Sequence, residues 1–367
     1  MNRLIALALP GSDLFVAELQ RAWGNGDAVL PVDMRLPPAA RQKLFDAMSP
    51  AIVVDEHGQQ SLDGARAVDP GDALVMATSG STGDPKGVVL THEAIAANAE
   101  ATSRRLNVDP NADRWLCCLP LSHVGGMSVV VRALHTGTPL TMHPGFEAGA
   151  VMEAARLGST LVSLVATALR RIDPTAFRAV VLGGSAMPAD RPANSVTTYG
   201  MTETGSGVVY DRLPVDGVEV SVVDGEIHLR CPMLLRCYRD GTDPKTADGW
   251  LPTGDAGTID VDGRLQVHGR RGDLIITGGE NVWPDAVERV LALAPGVAEL
   301  AVVGRPDPEW GAVVTAVVVP AQGAEVKLGE LREQLKEVLP AYCAPRALEL
   351  AESLPRTALG KVQRHLL

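Results

Sequence analysis

The stretch Ala77-Thr78-Ser79-Gly80-Ser81-Thr82-Gly83-Asp84-Pro85-Lys86-Gly87 packs hydroxyls, glycines and one lysine into a single short segment. Glycines let backbone N–H groups approach phosphate oxygens, hydroxyls add directed donors, and Lys86 adds a compact positive charge. These residue types describe a loop that holds phosphate. The P-loop of nucleoside triphosphatases is excluded, because it needs a lysine followed by Ser or Thr, and here Pro85 precedes Lys86 and Gly87 follows it. A plain Gly/Ser linker is the competing reading. Against it, Ala73 to Thr78 reads as a strand running into the loop and Thr91 as the cap of a helix reaching Leu106, so the expected order is strand, phosphate loop, helix.

The rest of the chain is consistent with a nucleotide-using enzyme. At 367 residues, two or three domains are expected, and 46% hydrophobic with 21% charged residues is ordinary for a globular protein. A formal charge of −11 with no basic block argues against a nucleic-acid partner. The five cysteines (Cys117, Cys118, Cys231, Cys237, Cys343) match neither a zinc spacing nor a Cys-x-x-Cys motif, which fits structural thiols in a reduced, cytoplasmic setting. The apolar run after Met1 is stopped by Pro10 and Gly11 before signal-peptide length, and no run of about 18 apolar residues suggests a membrane span.

Further along, Asp224-Gly225 and Asp262-Gly263 each separate two alternating runs, and both read as two-residue type I′ hairpins. Pro284 suits the first turn of a helix whose apolar face is Ala286, Val287, Val290 and Leu291. Strands are expected over 298–303 and 312–319. An amphipathic helix should follow, with Leu328, Leu331, Leu335 and Val338 on one side.

Four more motifs follow the loop in order: Tyr199-Gly200-Met201-Thr202-Glu203, Gly249-Trp250-Leu251-Pro252-Thr253-Gly254-Asp255, Gly269-Arg270-Arg271-Gly272-Asp273, and Pro355-Arg356-Thr357-Ala358-Leu359-Gly360-Lys361. On these motifs the chain resembles the adenylate-forming superfamily of acyl-CoA synthetases, peptide-synthetase adenylation domains and luciferases. The resemblance implies a large α/β N-terminal domain with a β-rich subdomain, followed by a small α+β C-terminal domain. Residues 1–271 would bind ATP and the acid, with an abbreviated N-terminal subdomain, and residues 272–367 would form a mobile domain carrying a catalytic lysine.

By that resemblance, Thr78, Ser79, Gly80, Ser81, Thr82 and Gly83 wrap the triphosphate of ATP, with Lys86 alongside. Gly183 and Gly184 line the adenine pocket, Tyr199 stacks on the adenine next to Gly200, and Thr202 contacts the α-phosphate. Glu203 would hold Mg²⁺, for which a carboxylate oxygen is a suitable ligand. Asp255 would accept from the ribose hydroxyls with Arg270 assisting; without the other motifs, it reads as a turn residue. Lys361 would reach the α-phosphate and the carboxylate oxygen, offsetting charge that builds in the transition state; on its own it reads as a solvated lysine near a chain end. Gly272 takes the hinge position between the domains, and Gly278 and Gly279, in Thr277-Gly278-Gly279-Glu280-Asn281, face the pantetheine tunnel of CoA.

The short N-terminal part and Leu119-Pro120-Leu121-Ser122-His123-Val124-Gly125-Gly126 narrow the resemblance to o-succinylbenzoate–CoA ligases of menaquinone biosynthesis, especially short actinobacterial forms. Their acid is an aromatic dicarboxylate. The carboxylate left free needs a donor or positive partner, and the resemblance offers His123 and Arg132. An arginine inside the apolar run Met127 to Leu134 must be paired, and an internal salt bridge explains Arg132 about as well as a bound carboxylate. Other readings remain open: another aryl- or acyl-CoA ligase, an enzyme loading a carrier-protein thiol, or a nucleotide-binding regulatory protein without catalysis. A homo-oligomer is also left open.

Overall fold

The structure, a computed structural model, describes residues 2–79, 85–184, 191–356 and 362–367. The chain divides into two units, Met1–Val220 with Leu229–Leu251, and Ser221–His228 with Pro252–Leu367.

Among the described residues, the first unit carries two seven-stranded sheets. In one, Leu4–Leu7 lies between the parallel strands Ala28–Pro31 and Ile52–Asp55, and Asp72–Ser79 runs parallel to Ala28–Pro31. Short apolar runs such as Leu4-Ile5-Ala6-Leu7, buried along their whole length, are what central parallel strands require. In the other sheet, Trp115–Cys117, Leu161–Leu164, Ala179–Leu182 and Ser195–Met201 are parallel neighbours, and Ser206–Tyr210 turns back antiparallel.

The expected order around the glycine-rich segment is corrected. After residues 80–84 the chain forms a second strand, Pro85–Thr91, antiparallel to Asp72–Ser79, and only then the helix His92–Arg105. The β-branched run Val88-Val89 favours a strand here. Gly87 lets it pack closely, since a Cβ there would stand 2.5 Å from Met48 Sδ. The predicted cap is present: Thr91 Oγ1 accepts from the Ala94 N–H at 3.1 Å.

Glu219–Val223, Glu226–Arg230, Leu251–Ile259 and Leu265–Arg270 form a four-stranded sheet, most of whose residues belong to the second unit. Asp224 and Gly225 have φ of 48° and 76°, the type I′ turn expected. The Asp262-Gly263 turn differs. Only Gly263 has positive φ, its N–H bonds to the Asp260 carbonyl at 3.0 Å, and the Asp260 carboxylate takes the N–H groups of Asp262 and Arg264. That is a three-residue loop with a type I turn and a left-handed glycine, selected by the Asp260 side chain.

The final sheet pairs Val297–Asp307 with Gly311–Pro320 and adds Ile275–Thr277, Glu280–Val282 and Ala347–Leu350. Pro284 opens the helix Pro284–Leu291, which buries Val287 and Leu291. The next helix, Leu328–Lys336, buries Leu331 and Leu335 but stops before Val338, which is exposed rather than on its apolar face. The α/β and α+β classes expected from the motifs are present.

Candidate active site

Each unit holds part of the predicted site. In the first, Thr78 pairs in register with Lys86 and Ser79 with Pro85, so the two strands fix both ends of the glycine-rich segment. Gly80, Ser81, Thr82 and Gly83 lie outside the described residues. Lys86 is exposed, and its ammonium stands 4.9 Å from the centre of the Tyr238 ring. No carboxylate lies within ion-pair distance of it among the described residues, which leaves its charge available to an anion.

Gly183 and Gly184 follow the buried strand Ala179–Leu182, and the Gly183 N–H bonds to the Leu164 carbonyl at 3.3 Å. Tyr199, half-buried, and Gly200 end the neighbouring strand at an irregularity in its pairing with Ser206–Tyr210. A Cβ at Gly200 would collide with the Ser206 carbonyl, so this bend accepts only glycine. Thr202 and Glu203 then lie in a single 3₁₀ turn closed by Thr204, whose buried hydroxyl takes the Met201 N–H at 3.0 Å and donates to the Ser206 carbonyl at 2.6 Å. Asn98 anchors that turn from the helix His92–Arg105 by donating to the Thr204 carbonyl at 3.1 Å. The Glu203 Oε1 accepts from the Tyr238 hydroxyl at 2.9 Å.

His123 stands at the N-terminus of the helix Val124–Thr136, half-buried, its Nε2 enclosed and with no hydrogen-bond partner among the described residues. Burial pushes its pKa down to about 4, against an opposing pull from Asp33, whose carboxylate is 3.9 Å away. The imidazole is therefore neutral near pH 7. Arg132, on the same helix, is 2% exposed and meets no carboxylate among the described residues. Its Nε donates to Thr102 Oγ1 at 3.1 Å, and its Nη2 donates to Ser128 Oγ at 3.1 Å and Ser206 Oγ at 2.8 Å. The guanidinium carbon lies 5.3 Å from the Trp115 ring centre, and Nη1 has no partner among the described residues. The internal salt bridge weighed for Arg132 is therefore not formed within them. A cavity of about 10 Å³, room for roughly one water, adjoins Ser128, Asn98 and Gly205.

In the second unit, Asp255 and Arg270 face each other across antiparallel strands, with Nε and Oδ1 3.0 Å apart. Arg270 also donates to the Thr253 carbonyl at 2.8 Å, and the Asp255 N–H bonds to Thr253 Oγ1 at 3.1 Å, so Asp255 is buried on a built platform rather than in a loose turn. Gly272 sits in a 3₁₀ turn with open space around it, so no local packing demands glycine. Gly278 and Gly279, with φ of 59° and 85°, form the two-residue turn of a hairpin, and a Cβ at Gly278 would stand 2.6 Å from the Trp310 ring. Lys361 lies outside the described residues. On either side of it, Arg356 bridges to Val362, and the Gln363 N–H bonds to the Pro355 carbonyl at 2.8 Å.

A family model for AMP-binding enzymes matches residues 56–284, and one for the AMP-binding enzyme C-terminal domain matches residues 286–361. The chain belongs to the AMP-binding enzyme family. The probable 2-succinylbenzoate–CoA ligase of Mycobacterium tuberculosis (strain CDC 1551 / Oshkosh) is 36% identical over 358 residues, covering 89% of this chain and 92% of that protein. The 2-succinylbenzoate–CoA ligase of Enterococcus faecalis is 34% identical, over 84% of this chain and 72% of its own length. The o-succinylbenzoate CoA synthetase of Bacillus subtilis, solved in complex with the acyl-adenylate intermediate OSB-AMP, has a TM-score of 0.88 at 28% identity, covering 99% of this chain and 87% of that one. The same enzyme has been solved with ATP and a magnesium ion, with a TM-score of 0.87.

Within this AMP-binding enzyme, the Glu203 side chain is suited to a magnesium ion. Among the described residues its Oε2 carries no hydrogen bond, and no cluster of three or more candidate ligands surrounds it. A single carboxylate suits an ion that retains waters and takes substrate phosphates as ligands. Two residues of the AMP-binding enzyme escaped the sequence reading. Tyr238 lies outside every quoted motif. Arg364 follows Lys361 closely, but nothing in its local sequence reveals the acidic groups that it meets. The thiols of Cys117 and Cys118 are buried and burial raises both pKa values, that of Cys118 to about 12, which disfavours the thiolate form near neutral pH. No helix among the described residues is long and apolar enough to cross a membrane.

Proposed function

We propose that this chain ligates 2-succinylbenzoate to CoA through an acyl-adenylate, releasing AMP and pyrophosphate, in the cytoplasm. In the first half-reaction the aliphatic carboxylate attacks the α-phosphorus of ATP and the bond to pyrophosphate breaks. In the second, the CoA thiol attacks the acyl carbonyl, loses its proton and displaces AMP. Residues 78–83 and Lys86 grip the triphosphate, Tyr199 and the Gly183–Gly184 turn hold the adenine, and Asp255 with Arg270 takes the ribose. Thr202 meets the α-phosphate. Glu203 would hold a magnesium ion, which would supply neutralisation of phosphate oxygen charge. Lys361 then offsets the charge spread over the reacting oxygens in the adenylation transition state.

The observation that carries the choice of acid is the bare Nη1 of Arg132. A buried guanidinium surrounded by hydroxyls, with one nitrogen unpaired among the described residues, is costly unless a ligand completes it. A second carboxylate on the substrate does so, which agrees with the acid named for the relatives above. In this reading residues 272–367 turn about Gly272 between half-reactions, using the conformational range of glycine, and the Gly278–Gly279 hairpin faces CoA.

The test is a screen of carboxylic acids for ATP-dependent thioester formation. 2-Succinylbenzoate is expected to give the highest kcat/KM with CoA as acceptor. Preference for a monocarboxylic acid, or thioester only on a carrier protein, would replace this reading with one of the other ligase classes.

A further inference from the structure

The strand Cys237–Tyr238 pairs with Pro85–Thr91 so that Tyr238 lies opposite Val88. Lys86 is two residues from Val88 on the same face, the diagonal position that a long side chain reaches across an antiparallel pair. The register is held on both sides, by the Arg236 N–H on the Val89 carbonyl at 2.9 Å and the Arg239 N–H on the Gly87 carbonyl at 2.6 Å. The same segment reaches the 3₁₀ turn, where the Leu235 N–H bonds to the Glu203 carbonyl at 2.7 Å. One phenol thus touches both groups: its ring face lies 4.9 Å from the Lys86 ammonium and its hydroxyl donates to Glu203 Oε1 at 2.9 Å.

The geometry points to Tyr238 as the positioning residue that sets the triphosphate lysine and the metal-holding carboxylate in a fixed relation. Its hydroxyl occupies one Glu203 oxygen and so directs the other to the cation, and its ring holds the ammonium without neutralising it, as a carboxylate would. The inference rests on the roles given above to Lys86 and Glu203, and the test separates the two ideas.

Mn²⁺ binding in the presence of a non-hydrolysable ATP analogue, read by electron paramagnetic resonance, is compared for the intact chain, Tyr238→Phe, Tyr238→Leu and Glu203→Gln. Tyr238→Phe keeps the ring and removes only the hydroxyl; it should weaken Mn²⁺ binding about tenfold, the scale of a hydrogen bond to a charged group. Tyr238→Leu should in addition raise the KM for ATP about two- to fivefold above that of Tyr238→Phe, as an exposed cation–π contact is lost. Both variants should form thioester from preformed acyl-adenylate at the normal rate. If Glu203→Gln lowers Mn²⁺ binding and Tyr238→Phe does not, the positioning role is wrong while the metal site stands. If Glu203→Gln leaves Mn²⁺ binding unchanged, both ideas fail. Equal losses in both half-reactions for Tyr238→Phe would show a general structural effect and overturn the proposal.

Discussion

Arg132 in the first unit and Arg364 in the second are both withdrawn from solvent, but the structure treats their charges in opposite ways. Arg364 keeps 16% side-chain exposure and meets three carboxylates: Asp273 at 2.8 Å, Glu288 at 2.7 Å, and Asp285. Burial alone would lower its pKa, and those carboxylates more than reverse this. Arg132 is 2% exposed and meets three hydroxyls and an indole ring. Neutral acceptors alone do not mark a site. Arg239 is also surrounded by them, donating to the carbonyls of Met48, Ala67 and Arg66, and burial lowers its pKa to about 10. What sets Arg132 apart from Arg239 is the nitrogen left over among the described residues. The second unit uses Arg364 for internal structure, and the first holds an arginine whose coordination is incomplete among the described residues.

The Arg364 cluster looks overpaired from one side and underpaired from the other. Burial raises the Glu288 pKa despite Arg364, whereas Arg364 is firmly held in its charged form. Three carboxylates against one guanidinium leave excess negative charge, and the most buried carboxylate bears the cost. Arg364→Leu should therefore have the largest effect, a loss of about 3–5 kcal/mol, because it strands carboxylates in a partly buried place. Hydrogen exchange of the amides in Val297–Asp307 and Gly311–Pro320 would read it, and Arg364→Lys should recover part of the loss. A change below about 1 kcal/mol would mean solvent screens the cluster as it does a surface pair, and the contrast with Arg132 would collapse.

Next comes the segment between Arg356 and Arg364. Arg356, before it, pairs with Glu299 at 2.7 Å, and Arg364, after it, with its carboxylates, so Lys361 lies in sequence between two tethered points. Lys361→Ala should cut adenylation by about 10²–10³-fold, the usual cost of removing one donor aimed at developing charge. Thioester formation from preformed acyl-adenylate should stay largely intact. Equal loss in both half-reactions would contradict the role given to the lysine.

These contrasts show which features the sequence could reveal. Short-range chemistry was legible: Thr91 caps its helix, Pro284 opens another, and Asp224-Gly225 makes its type I′ turn, because neighbouring residues decide each of these. The motifs likewise named the fold class and most candidate residues. Where a decision depended on distant groups, sequence reading failed. Asp260, not the Asp-Gly pair, selects the second hairpin turn, and Pro85–Thr91 becomes a strand through pairing on both of its edges. Tyr238 gains its two contacts only from strand register. The partners of Arg132 come from residues as far along the chain as Thr102 and Ser206, so a salt bridge and a ligand-facing guanidinium could not be told apart beforehand.

The helix that carries Arg132 also begins at His123, where burial outweighs the opposing pull of Asp33. With a folded pKa of about 4 and an unfolded value near 6.5, the imidazole binds its proton less readily in the folded state. Its contribution to stability is complete above about pH 6.5 and is lost as pH falls through about 4, on the order of 3 kcal/mol in all. An NMR titration should show His123 neutral at pH 6 with a midpoint near 4. A midpoint above 6 would mean that Asp33 holds it as an ion pair, bringing this region closer to the compensated one.

The smallest expected effect is also the most discriminating, because it bears on whether the bare nitrogen serves a ligand. Arg132→Leu removes the guanidinium and leaves the hydroxyls of Thr102, Ser128 and Ser206 without it, so some loss of stability is expected whatever the role. Stability alone therefore decides nothing, and the informative quantity is a ratio. If Nη1 meets the free carboxylate of the acid, kcat/KM for 2-succinylbenzoate should fall about 10- to 100-fold further than for an analogue lacking the aromatic carboxylate, the range for a hydrogen bond to a charged group. Arg132→Lys, which keeps the charge without the planar fork, should fall between the two. An equal fall for both acids would make Arg132 structural, its charge carried by hydroxyls and ring as that of Arg239 is by carbonyls, and the difference between the two units would then be one of packing and not of purpose.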